Sequence, residues 1–346
     1  MTLSGARTHR PTITDVARAA GVSTAVVSYA LNDRPGVSAA TRERVLRVAE
    51  EFGWRPDVAA RSVRGGPRTV GLVVTDRPGT LARDPGFLDL VAGARQVLST
   101  RGLTLVVQMV DAADDVAVTY RQWWAERRFD VLVVPDLLVD DPRVAALSRV
   151  RAPSVVLGPC LGQDAPTAVW FDEDEVAAGV LSAVAGLGHS AVAVVTGPLT
   201  LDATRARVTA LARAGERLGV RLVHQAVGTS PEAAAAATHA LLTGPRPPSV
   251  VVFDGATSAL AGLEVARRCG VRVPWDLSVV AIGDSALCRL ASPPVTVVPL
   301  DLTELGAAAG RAVLGVIDGD PVRREPVPVG GLVLRGSTCP HVPLSA

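Results

Sequence analysis

The 346 residues predict a small all-α head followed by a two-lobed α/β body of doubly wound parallel sheets. Three observations carry that expectation. Residues 1–55 hold three short stretches with helical apolar spacing, each bounded by cap and break signals. From Thr69 onward, short apolar runs alternate with amphipathic helical stretches, the pattern of parallel strands joined by crossover helices. Charge divides the same way: residues 1–68 carry eleven Arg against six acids, whereas the remainder carries 24 Arg against 28 acids. A basic head on a mildly acidic body suits contact with a polyanion through the head alone.

The first helix is expected to begin after Thr14, whose hydroxyl caps the backbone donors of Asp15, Val16 and Ala17, and to stop near Gly21. Ser23 caps a second helix running to about Leu31. Val27, Ala30 and Leu31 fall at i, i+3 and i+4 and turn one apolar stripe inward, leaving Thr24, Ala25, Ser28 and Tyr29 outward. Asn32, Asp33, Pro35 and Gly36 break the chain. Ser38 then caps a third helix whose Val45, Val48, Ala49 and Phe52 complete the small core, and whose exposed N-terminus suits a phosphate. Two helices joined by a short glycine-containing turn form a helix-turn-helix, whose second helix fits a major groove about 12 Å wide. An ordinary helical bundle would share the capped helices but not the concentration of Arg, so double-stranded DNA is the expected partner.

These residues resemble the LacI/GalR family of bacterial transcription regulators, and the resemblance runs from Thr12 to about Thr338. Members read near I-x-D-V-A-x-x-A-G-V-S-x-x-T-V-S-x-x-L-N. The chain supplies Ile13, Asp15, Val16, Ala17, Ala20, Gly21, Val22, Ser23, Val27, Ser28, Leu31 and Asn32, with Val26 in place of Thr. The resemblance implies that Thr24, Ala25 and Tyr29 face base edges and that Ser23 and Ser28 sit near phosphates; Thr14, Asn32 and Ser38 complete the expected set. Many members carry Arg at the position of Tyr29, so a phenol there implies a different base preference.

Pro56 to Arg64 begins like a helix and runs into Gly65-Gly66-Pro67. So short a helix is marginal alone in water, where helices below roughly 12–15 residues do not persist. Taken by itself the segment reads equally as a flexible linker or as a short helix that needs a partner. The resemblance makes it a hinge helix that orders over the operator's minor groove, with Val63 as the wedge where Leu is usual and Arg61 and Arg64 as minor-groove or phosphate contacts.

In the body, strands are expected at Val70 to Val74, Thr104 to Val107, Val131 to Val134, Ser154 to Leu157, Ala191 to Val195, Arg221 to His224, Val250 to Phe253 and Ser278 to Ile282. A helix is expected from about Phe87 to Ser99. The resemblance implies a periplasmic-binding-protein-like body. The expected organisation is a head at 1–55, a hinge and linker at 56–68, and a body at 69–346, with lobe one at about 69–167 plus 299–326 and lobe two at about 168–298 plus 327–346. Ligands of such sheets bind outside the carboxyl ends of the strands, here the cleft between lobes. Landmarks in family order are Asp84-Pro85-Gly86-Phe87, Leu187-Gly188-His189 and Val273-Pro274.

By the same resemblance Asp172 and Arg207 line the cleft, joined by Asp84, Phe87, Asp254 and Asp284, with Trp170 offering a stacking face. Gly255, Ala256, Gly283 and Thr229 stand where the family usually has polar or aromatic ligand contacts. Their loss argues against an ordinary pyranose. Three options stay open: an atypical sugar or nucleoside, a more apolar metabolite, or a body without a small effector.

Two other classes are weighed. Gly188-His189-Ser190-Ala191-Val192 has the outline of a hydrolase nucleophile elbow, but an elbow needs a strand before its Ser and a helix after it, and the expected order is reversed. A secreted solute-binding protein would share the body; the N-terminal segment shows no apolar signal core, so the expected location is the cytoplasm. No apolar run is long enough to span a membrane. The four Cys are widely spaced and the five His lack metal-ligand spacing, so neither a disulfide framework nor a metal nor another cofactor is expected. The expected molecule is a non-enzymatic repressor, a homodimer or a tetramer built from it, on a palindromic operator.

Overall fold

A computed structural model describes residues 12–31, 34–51, 69–75, 81–111, 113–126, 128–149, 151–159, 166–228 and 230–341. The chain divides into two compact units, Met1–Gly66 and Pro67–Ala346.

The first unit contains α1 (Ile13–Ala20), α2 (Thr24–Leu31) and α3 (Ala39–Glu51). The cap of α1 is Thr12, not Thr14. Asp15 decides this, because it stands three residues after Thr12 and closes a capping box: the Asp15 amide donates to Thr12 Oγ1 at 3.3 Å and the Thr12 amide donates to the Asp15 carboxylate at 2.9 Å. Thr14 is left exposed within the first turn. Gly21 ends α1 in the left-handed region at φ 65°, a conformation open to glycine at no steric cost. Ser23 Oγ accepts from the Val26 amide at 3.3 Å and Ser38 Oγ accepts from the Thr41 amide at 3.2 Å, so both serines cap as expected. Val16, Ala17, Ala20, Val27, Ala30, Val45, Val48 and Ala49 form the core. Phe52 lies outside the described residues. Arg42 ties α3 to the end of α2 by donating to the carbonyls of Ala30 at 3.0 Å and Arg34 at 2.8 Å.

The second unit runs β1 (Thr69–Thr75), α4 (Phe87–Ser99), β2 (Thr104–Val110), α5 (Ala113–Ala125), β3 (Val131–Val134), α6 (Pro142–Arg149), β4 (Ser154–Leu157) and β5 (Thr167–Phe171). It continues with α7 (Glu173–Gly186), β6 (Ala191–Thr196), α8 (Asp202–Leu218), β7 (Arg221–Ala226), α9 (Pro231–Thr243), β8 (Val250–Phe253), α10 (Ala256–Arg268), β9 (Ser278–Ile282), α11 (Ala286–Leu290) and β10 (Thr296–Val298). It closes with α12 (Leu302–Asp318) and β11 (Arg324–Val327). Two sheets result, one of six strands in the order β11-β5-β4-β3-β1-β2 and one of five in the order β10-β9-β8-β6-β7. Every pairing within them is parallel. Strands buried on both faces read as continuous Val, Leu and Ile runs for that reason.

The lobe boundary differs from expectation. β5 pairs with β4, Val155 opposite Thr167, and with β11, Ala168 opposite Arg324, so lobe one keeps the chain through Phe171 rather than releasing it at Thr167. Val327 also belongs to lobe one, opposite Phe171. The backbone pairing of a short strand decides both points, and the strands concerned, β5 and β11, were not anticipated. Beyond them the chain joins the second sheet, where Val297 and Val333 bridge and the Ser337 hydroxyl donates to the Val279 carbonyl at 2.6 Å.

α4 and α12 pack on the first sheet with their backbones unusually close. A Cβ on Gly93 would overlap the Thr303 carbonyl oxygen, and one on Gly306 would overlap that of Leu90. Glycine is required at both positions by space alone.

Candidate DNA interface and interlobe cleft

On the head, α2 presents Thr24, Ala25 and Tyr29 to solvent while Val27 and Ala30 are buried. Tyr29 is 42% exposed, and the Arg34 guanidinium lies 5.9 Å from its ring centroid, within cation–π range. The ring therefore lies near a cation while the residue keeps much of its surface in solvent. Ser28 is half-buried, and Ser23 and Ser38 remain exposed although each spends one acceptor lone pair on its cap. Arg18, Arg44 and Arg47 add exposed positive charge. Asn32, Arg61, Val63 and Arg64 lie outside the described residues.

In the body, a cavity of about 660 Å³ opens between the lobes, at the carboxyl ends of the strands. Its lining brings together Asp84, Trp170, Arg207, Asp254 and Asp284 from the expected set. Two expected members are elsewhere. Asp172 is the N-cap of α7, accepting from the Asp174 amide at 2.9 Å and the Glu175 amide at 3.4 Å, and it borders a smaller adjoining groove. Its carboxylate is occupied by the helix terminus, a placement the helix dipole favours. Phe87 packs against the apolar core beneath α4 instead of facing the cavity.

Arg207 is not a surface ion pair. Its side chain is 11% exposed and grips Glu173 with two parallel bonds of 2.7 and 2.8 Å, while Nη1 donates to Asp254. Burial pushes the Glu173 carboxyl up, against the pull of the guanidinium, and the two carboxylates hold Arg207 firmly protonated. Asp284 is likewise engaged: Arg335 donates at 2.9 and 2.8 Å, Arg289 at 2.8 Å and the Ser285 amide at 2.8 Å.

Asp84 and Asp136 complete the acidic lining. Asp84 accepts from the Gly86 amide at 2.7 Å; desolvation raises its carboxyl above the ordinary range, and the charge of Asp254 adds to the rise. Asp136 accepts from the Leu81 amide at 3.0 Å and is pushed up to about 6 by burial, with Asp84 contributing. Behind it, buried Arg143 clamps Asp141 and donates to the carbonyls of Pro135 at 3.1 Å and Asp136 at 2.7 Å, fixing the loop that carries Asp136. Asp136 and Glu173 are absent from the sequence-based set. Asp136 ends the Val-Leu-Val-Val-Pro run at the carboxyl end of β3, the position where such sheets bind ligands, so the signal was present. Thr229 lies outside the described residues.

The Gly188-His189-Ser190 segment joins the end of α7 to the start of β6, so helix precedes and strand follows. His189 is buried, its Nδ1 2.8 Å from Ser249 Oγ, and stacks on His341 with ring centroids 5.2 Å apart. Those contacts hold the segment as structure. Among the described residues no cluster of His, Cys, Asp and Glu has a geometry for a metal ion, and no helix is long and apolar enough to cross a membrane.

Residues 12–57 match the family model for bacterial regulatory proteins of the lacI family, and residues 183–338 match the periplasmic binding protein-like domain. The HTH-type transcriptional regulator CelR of Thermobifida fusca is 32% identical over 333 residues, covering 93% of this chain and 95% of its own. The HTH-type transcriptional repressor CytR of Escherichia coli is 27% identical over 333 residues, covering 94% and 96%. Among solved structures, a lac repressor dimer bound to operator and the anti-inducer ONPF shares the fold at TM-score 0.84 and 24% identity, covering 96% of this chain and all (100%) of that one. A CelR–cellobiose complex aligns at TM-score 0.70 and 27% identity, covering 95% and 100%. These relatives are transcription regulators rather than enzymes.

Proposed function

Because the chain belongs to the LacI family of bacterial regulatory proteins, we propose that it represses transcription as a homodimer on a palindromic operator, released or recruited by a small molecule in the interlobe cleft. The observation that carries the DNA reading is the division of α2 into a buried Val27/Ala30 stripe and an exposed Thr24/Ala25/Tyr29 face. That face suits base edges in a major groove, while Ser23, Ser28, Ser38 and the first turn at Thr14 suit the flanking phosphates. Arg61, Val63 and Arg64 are proposed as the hinge contacts in the minor groove. One head spans only a few base pairs, so two heads about one helical turn apart supply the affinity and impose the palindrome. The same reading has the protein bind its operator in the cytoplasm without catalysis.

The cleft fits a small effector in size, since binding pockets run to roughly 300–1,000 Å³. CelR is seen with cellobiose, which supports a ligand of about disaccharide size for this cavity as well. A gel-shift comparison of the full chain with a chain lacking residues 1–66 tests the assignment. The full chain is expected to retain an inverted-repeat duplex and the shortened one to lose it at every concentration; specific retention by the shortened chain would refute the reading.

A further inference from the structure

Among the described residues the lining of the cavity carries five carboxylates, Asp84, Asp136, Glu173, Asp254 and Asp284, and one guanidinium, that of Arg207. Arg207 is already paired twice: Nε and Nη2 hold Glu173 and Nη1 holds Asp254, which leaves that trio with one excess negative charge. Asp284 is balanced from outside the lining by Arg335 and Arg289. Among the described residues Asp84 and Asp136 form no ion pair; their carboxylates accept from the amides of Gly86 and Leu81, and Asp136 feels the more distant charge of Arg143. Among the described residues an anion entering the cavity would meet no cation that is not already paired with a carboxylate. Recruiting Arg207 would require opening a buried ion pair, which costs more than exposed pairs return.

Asp84 belongs to lobe one and Asp254 to lobe two, both line the cavity, and the charge of Asp254 is close enough to help raise the Asp84 carboxyl. A positive group placed between them turns that repulsion into two attractions. The half-buried indole of Trp170 forms part of the same wall and favours a cation over its face. Much of the rest is apolar, including Leu81, Leu137, Leu157 and Val227. Resting on the effector-cleft reading above, we infer that the cavity takes an organic cation: a ring-bearing body of disaccharide size or smaller with a protonated amine directed between the carboxylates of the two lobes.

Calorimetric titration of the full chain at pH 7.5 with two size-matched trios that differ in charge tests this. One trio is the deacetylated glucosamine disaccharide, cellobiose and cellobionate; the other is benzylamine, benzyl alcohol and benzoate. The amine of at least one trio is expected to bind at least about tenfold more tightly than its neutral and anionic counterparts, and Asp84→Asn, isosteric and checked for folding by circular dichroism, is expected to erase that preference. Equal or tighter binding of the neutral or anionic members overturns the cation inference and leaves the effector cleft standing. Binding by none of the six overturns both. An amine preference that survives Asp84→Asn at full strength overturns the placement between the lobes.

Discussion

Asp136 shows how a single half-buried carboxyl shapes both the cleft and its stability. Its value rises from 3.8 to about 6, so between those two pH values the folded protein keeps a proton that the unfolded chain has released. Folding is therefore most favoured by this group at low pH, weakens as pH rises through that window, and above about pH 6 has lost at most about 3 kcal/mol. Asparagine still accepts from the Leu81 amide but does not ionise. Asp136→Asn should gain only about 0.5 kcal/mol at pH 4 and about 1–3 kcal/mol at pH 7.5, read from paired thermal melts; parallel melting at both pH values would refute the account. At this scale the sequence reading is off by two residues in one place and by one in another. Thr14 yielded to Thr12 because Asp15 closes its capping box with the earlier hydroxyl, and Asp172 yielded to Glu173 because the helix terminus claims the first carboxylate of the Asp-Glu-Asp-Glu run. Offset counting cannot tell which of two adjacent acids becomes a cap.

Elements were more legible than residues. α4, β3, β4, β8 and β9 fall where apolar period and break signals place them, since a buried parallel strand must be apolar throughout. The strands without that signal went unseen. β11 reads Arg-Glu-Pro-Val, and its Pro is tolerated because β11 is an edge strand with β5 on one side only. β10 has three residues and follows Pro293-Pro294. β5 stands directly against the acidic run that starts α7. Helix packing was also invisible in advance: nothing in the spacing of Gly93 and Gly306 announces that α4 and α12 touch there. Gly93→Ala should cost about 1–3 kcal/mol or more by forcing the helices apart, measured as a lowered melting temperature of the body. An unchanged melt would show that the contact yields freely.

For the whole molecule, the division of labour follows charge and core. The head has its own small core and an excess of Arg; the body has separate cores in each lobe and a cavity where the lobes meet. That plan was legible from the change of period at Thr69 and from the charge asymmetry, whereas the exact lobe boundary was not, because it depends on which sheet a five-residue strand joins. The chemistry of the cavity was legible only in part, since Arg207 could be placed by resemblance but its two carboxylate partners are made by the fold.

The central claim is that α2 reads base edges in two symmetric half-sites. Selection of the full chain from a pool of random duplexes, followed by sequencing and a salt titration of the winners, tests it most directly. The account predicts an inverted repeat with half-sites about one helical turn apart and an affinity that falls steeply as salt rises. Recovery of duplexes without a shared repeat, bound no better than the starting pool, would contradict it.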